Sequence, residues 1–249
     1  ELLPSLAPVG TVGVASGAGT AALFSDQEAF VGNLLVAGEL DLGVCWERHG
    51  DTTTCTPDSD EARIDFGTVE QGDSGTASIR CLLADDGNPG WVWLRSNCPP
   101  GPCGLGEAVR VTMWYDEGCD GIRDTDDDAN AEPYLRAQDG TAIADVRLCE
   151  ALQLLRDGVK LDGTPSAGPD APATALQPGE ECCIGFHWEV VDPICVDQDE
   201  FELTFEFHTE QRRHNPNPTD PFPDVECNVD CTTECPDCDF KSLSFISWC

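Results

Sequence analysis

Residues 201–208 read Phe-Glu-Leu-Thr-Phe-Glu-Phe-His, so Phe201, Leu203, Phe205 and Phe207 alternate with Glu202, Thr204, Glu206 and His208. A period of two puts every apolar side chain on one face of an extended chain and every polar one on the other, which helical spacing cannot do. The same period recurs at Leu40, Leu42, Val44 and Trp46, and again at Val109, Val111, Met113 and Tyr115. Strands are also predicted over 64–69, 76–83, 91–94, 183–191 and 242–248, with a turn at 70–75. Helical spacing is clear in one place, 145–156, where Asp145 is the expected N-cap, Val146, Cys149 and Leu152 share a face, and Gly158 stops the helix. Many short strands with turn signals and one short inserted helix predict an all-β jelly-roll β-sandwich.

The chain has 249 residues, enough to bury a sizeable core. It carries 47 Asp and Glu against 13 Lys and Arg, a formal net charge of −34. Such a field repels phosphate backbones and anionic headgroups, so nucleic-acid binding and electrostatic membrane docking are excluded as functions. Six Trp, ten Phe and the regular alternation argue for a packed core over disorder. Only Lys160 and Lys241 are lysines; every other basic residue is Arg. A carboxylate-coated, lysine-poor surface stays soluble in molar salt, where the Debye length is about 3 Å, so a halophile is expected. The alternative is an acidic secreted protein from ordinary salinity. With no run of about 18 apolar residues, no membrane span is expected.

Fifteen cysteines, Cys45, Cys55, Cys81, Cys98, Cys103, Cys119, Cys149, Cys182, Cys183, Cys195, Cys227, Cys231, Cys235, Cys238 and Cys249, are spread along the chain. That density and spread imply an oxidising, extracellular location and a set of disulfides. Glu at position 1 leads us to expect a mature chain whose leader has been removed. An odd count leaves one thiol free or bridging to another subunit. Cys182 and Cys183 are adjacent on a predicted strand, so they face opposite sides and take different partners. The cluster Cys227, Cys231, Cys235 and Cys238 reads as disulfides rather than a zinc knot in this compartment. Spacing fixes no connectivity.

Residues 2–23 hold small and apolar side chains with no charge, too Gly-rich for a stable helix and too short to span a membrane. They read as a flexible strand with no evident partner in the chain, formed by Leu2, Leu3, Leu6, Val9, Gly10, Val12, Gly13 and Val14. The chain divides into this segment with its hinge, 1–23, and a sandwich over 24–249 that ends in a disulfide-rich loop. Ser25 and Glu28 have capping-box spacing, which predicts a short helical turn. Asp116, Asp120, Asp124, Asp126 and Asp128 lie along a Gly-containing loop and read either as calcium ligands or as a solvated acidic loop. Trp91, Trp93, Trp114 and Trp188 read as core, the alternative being a sugar-binding surface. The four histidines, His49, His187, His208 and His214, include no H-E-x-x-H pair, and neither a nucleophile elbow nor a phosphate loop occurs, so no enzyme is expected.

Phe24-Ser25-Asp26, Gly32-Asn33 and Ala37-Gly38-Glu39-Leu40-Asp41-Leu42 follow one another in a pattern that resembles the TasA/camelysin family of secreted fibre proteins. The stretch 66–79, FGTVEQGDSGTASI, resembles the family's G-x-V-x-P-G-D-x-G turn, with Gln71 where Pro is usual. NPGWVWL, VTMWYDEGCDGIRD, CCIGFHWEV and FELTFEFHTEQRRHN resemble its halophilic archaeal branch. The resemblance implies a signal-peptidase-processed jelly-roll subunit of an extracellular filament, a biofilm-matrix fibre or bundling pilus. Its partners would be copies of itself in a linear polymer, each N-terminal donor strand completing the sheet of the next subunit. The other readings are a monomeric surface adhesin or matrix protein and, from the enzyme class, a camelysin-like metalloprotease.

Overall fold

The computed structural model describes residues 25–26, 40–48, 54–55, 63–85, 87–96, 105–125, 131–163, 173–192, 200–212, 218–219, 221–222 and 243–248. These residues form two six-stranded sheets and two helices. The first sheet runs β4 (Arg63–Val69), β12 (Leu243–Trp248), β11 (Glu200–Gln211), β6 (Gly90–Ser96) and β9 (Val159–Lys160), with β1 (Ser25–Asp26) also paired to β11. The second runs β3 (Thr54–Cys55), β2 (Leu40–Arg48), β5 (Ser74–Leu83), β10 (Glu181–Val190), β7 (Val109–Tyr115) and β8 (Val146–Arg147). Pairing is antiparallel except between β11 and β12. The all-β class expected from the alternation is what forms.

One core lies between the sheets. Leu203, Phe205 and Phe207 of β11 and Val92 and Leu94 of β6 share it with Ala77, Ile79, Val111, Met113, Ile184 and Phe186 from the second sheet. Phe186 and Phe205 meet edge to face across the interface, centroids 5.7 Å apart, a favoured aromatic geometry.

Two helices form where one was expected. The short α1 (Leu105–Ala108) precedes β7, and α2 (Leu148–Arg156) begins three residues later than the predicted N-cap at Asp145. Asp145 is occupied otherwise: it has φ 50, its N–H donates to Thr112 Oγ1 and its carbonyl accepts from Arg110. Val146 and Arg147 then pair with β7, so the helix starts only after the ladder ends, with Glu150 accepting the Arg147 N–H. Gly158 stops α2 as its spacing predicted, at φ 77, a conformation with little cost only for glycine.

The capping signal at Ser25 is also overridden. Ser25 and Asp26 lie opposite Glu210 and Thr209 as a strand, because a ladder on the open side of β11 outcompetes a local turn. Gln27 and Glu28 lie outside the described residues, as do the donor segment and the 23/24 boundary.

Helix α2 packs against β6, β7 and β8 and so closes the sandwich on that side. The other side is different. β4 ends the first sheet with no outer partner among the described residues, and β2 is paired outward only at Cys45 and Trp46. β2 and β4 are in contact, which sets these two edges side by side.

Candidate functional site: the acidic loop and its cysteine anchor

After Tyr115 the chain leaves β7 and folds back over the outer face of the second sheet. Cys119 forms a disulfide with Cys183 of β10, Cα atoms 5.4 Å apart. Trp114 lies over Gly185, where a Cβ would run into the indole, and Trp188 lies on the inner face over Gly75, where a Cβ would sit 2.8–2.9 Å from the ring. Glycine inside a strand marks such close approach, and it was the one sequence signal of this cover. The run Cys182 to Phe186 is consequently buried on both faces.

Two carboxylates hold the loop together from inside. Asp116 is 1 % exposed and accepts from the N–H of Gly121 at 2.8 Å and of Asp120 at 3.4 Å. Glu132, 5 % exposed, accepts from Glu117 N–H at 2.6 Å and Asp124 N–H at 2.9 Å. Arg123 donates twice to the Glu132 carbonyl and stacks on Tyr134, its guanidinium carbon 3.9 Å from the ring centroid. Burial raises the Glu132 carboxyl above its usual range, a shift opposed by the backbone N–H groups that favour its charged form. Sequence reasoning missed Glu132, which lies beyond the loop and in no recognisable spacing with it.

Of the five aspartates, Asp116 and Asp120 meet at one turn and Asp124 is tied to Glu132 through its backbone; Asp126 and Asp128 lie outside the described residues. Calcium takes six to eight oxygen ligands. The oxygens of Asp116 are directed at the loop's own amides, and among the described residues no three His, Cys, Asp or Glu side chains converge to hold a metal.

Cys183 and Cys182 face opposite sides of β10 as expected, Cys183 bonded to Cys119 and Cys182 in the core. Cys149 on α2 is also disulfide-bonded. The register sets Cys45 opposite Cys55. Cys98, Cys103, Cys195, Cys227, Cys231, Cys235, Cys238 and Cys249 lie outside the described residues.

The four tryptophans are at most 6 % exposed, so none offers an open sugar platform. Lys160 lies over Trp91 and Trp93, 4.9 and 5.9 Å from their centroids. On the same outer face of the first sheet Arg95 donates to Glu206 at 2.6 Å and covers Phe222, and His208 stands 3.5 Å from Glu210. His187 lies on the outer face of the second sheet, so these two histidines share no site. Comparison with models of protein families, with curated proteins and with solved structures finds no match.

Proposed function

We propose that the chain is the repeating subunit of an extracellular filament of a halophile, a jelly-roll sandwich polymerised by donor-strand complementation in the manner of the TasA/camelysin fibres its motifs resemble. The observation that supports this reading is the side of the sandwich opposite α2, where β4 has no outer partner among the described residues and β2, in contact with it, is paired outward only at Cys45 and Trp46. Long exposed edges are a liability that folded proteins ordinarily blunt or cover. An uncharged strand from a neighbouring copy would satisfy their backbone groups, and Leu2, Leu3, Leu6, Val9, Val12 and Val14, with Gly10 and Gly13 allowing close approach, have that character.

Deleting residues 1–16 tests it. The truncated chain should remain monomeric, and synthetic peptide of that sequence should bind it and raise its melting temperature. Filaments of ordinary appearance from the truncated chain, seen by negative-stain microscopy, would show that subunits are joined by other contacts. Calcium at the acidic loop is tested separately by melting with calcium or with chelator. A calcium-dependent rise that Asp120→Asn and Asp124→Asn abolish would support ion binding, whereas identical curves leave the order of the loop to Asp116 and Glu132.

A further inference from the structure

We propose that Cys81 and Cys182 form a disulfide across the two central strands of the second sheet, inside the core. This inference rests on the register of that sheet and not on the filament reading. β5 and β10 pair antiparallel with Cys81 directly opposite Cys182. Both side chains point inward, with Ile79 and Leu83 on one strand and Ile184 and Phe186 on the other, and they are 0 % and 7 % exposed.

The ladder tells which kind of pair they make. Leu83 N–H donates to Glu180 O at one end and Val190 N–H to Asp73 O at the other. Hydrogen-bonded pairs recur every second residue, so counting from either end makes Cys81 and Cys182 such a pair. Directly opposed residues of that type have Cα atoms about 5.5 Å apart, in the middle of the range a disulfide spans. The Cys119–Cys183 bond on the other face of the same strand has 5.4 Å. That bond also removes Cys183 as a competitor for Cys81.

In the structure both residues are thiols. Bond formation takes two protons and two electrons from them; the acceptor is a small-molecule or protein disulfide, whose S–S bond breaks to two thiols. The attacking species is a thiolate. Burial, and after it the charge of Asp162, pushes the Cys182 thiol up to about 12, so exchange within the closed core is slow. Oxidation therefore belongs to folding, before the sheets close.

The test uses the full chain, refolded with a mixture of oxidised and reduced glutathione, then unfolded in denaturant in the presence of excess alkylating reagent and digested without reduction. Mass spectrometry should find the peptide beginning at Cys81 joined to the peptide that holds Cys182, a link lost on reduction. In Cys182→Ala, treated identically, the Cys81 peptide should return as the alkylated thiol. The linked chain should also melt several degrees above the chain oxidised at Cys119–Cys183 alone. Recovery of Cys81 and Cys182 as alkylated thiols from a parent chain that carries the Cys119–Cys183 link would overturn the proposal. So would a Cys81 link that persists in Cys182→Ala.

Discussion

Gly185 shows how little room a single position has. Its missing side chain is the space Trp114 occupies, so Gly185→Ala should cost about 1–3 kcal/mol through overpacking, measured by denaturant unfolding. Ser78 makes the opposite case. It is 2 % exposed and its hydroxyl has no hydrogen-bond partner among the described residues, so Ser78→Ala forfeits no bond and should leave stability unchanged or raised. Asp116→Ala should be costly, because it orphans loop N–H groups at about 1–3 kcal/mol for a buried one. His208 sets a pH dependence. Burial, and then the charge of Arg95, lowers its pKa from 6.5 to about 4, although Glu210 lies 3.5 Å away. Above pH 6.5 the imidazole is neutral whether the chain is folded or not. As pH falls from there toward 4 the unfolded chain takes up the proton first, and stability drops by an amount on the order of 3 kcal/mol. His208→Gln should flatten the stability profile in that window.

At the scale of elements, what could be read in advance was what periodicity controls. The alternation in 201–208 and in 109–115 gave β11 and β7 their inner faces, and Gly158 ended α2 where expected. What could not be read was set by neighbours distant in sequence. Asp145 is spent on Thr112 and Arg110, which delays α2, and Ser25 is drawn into a ladder with β11. The acidic loop was legible as acidic but not as a cover, since its partners Gly185, Cys183 and Glu132 are brought to it only by the fold. Breaking its anchor should loosen the cover without unfolding the sheet. Cys119→Ser with Cys183→Ser should speed hydrogen exchange at Gly121 and Asp124 well before that at Ile184, which lies in the core.

For the whole molecule, charge sets the conditions of stability. A net charge of −34 is tolerable where salt screens it, and lowering ionic strength from about 1 M to about 0.1 M lengthens the Debye length from roughly 3 to 10 Å. The melting temperature should fall over that range, and any assembly of copies should loosen with it; a melting temperature indifferent to salt would refute the halophile reading. The placement of Cys183 carries a further consequence. In a strand the two faces alternate residue by residue, so sliding β10 by one position against its neighbours would turn Cys183 inward and present Cys182 to the loop. The bond to Cys119 thus works as a register lock. The sheet threaded as described offers Cys183 to the loop and one slipped by a residue offers Cys182, so the bond locks whichever register is in place when it closes, and closing on Cys183 holds the native one covalently.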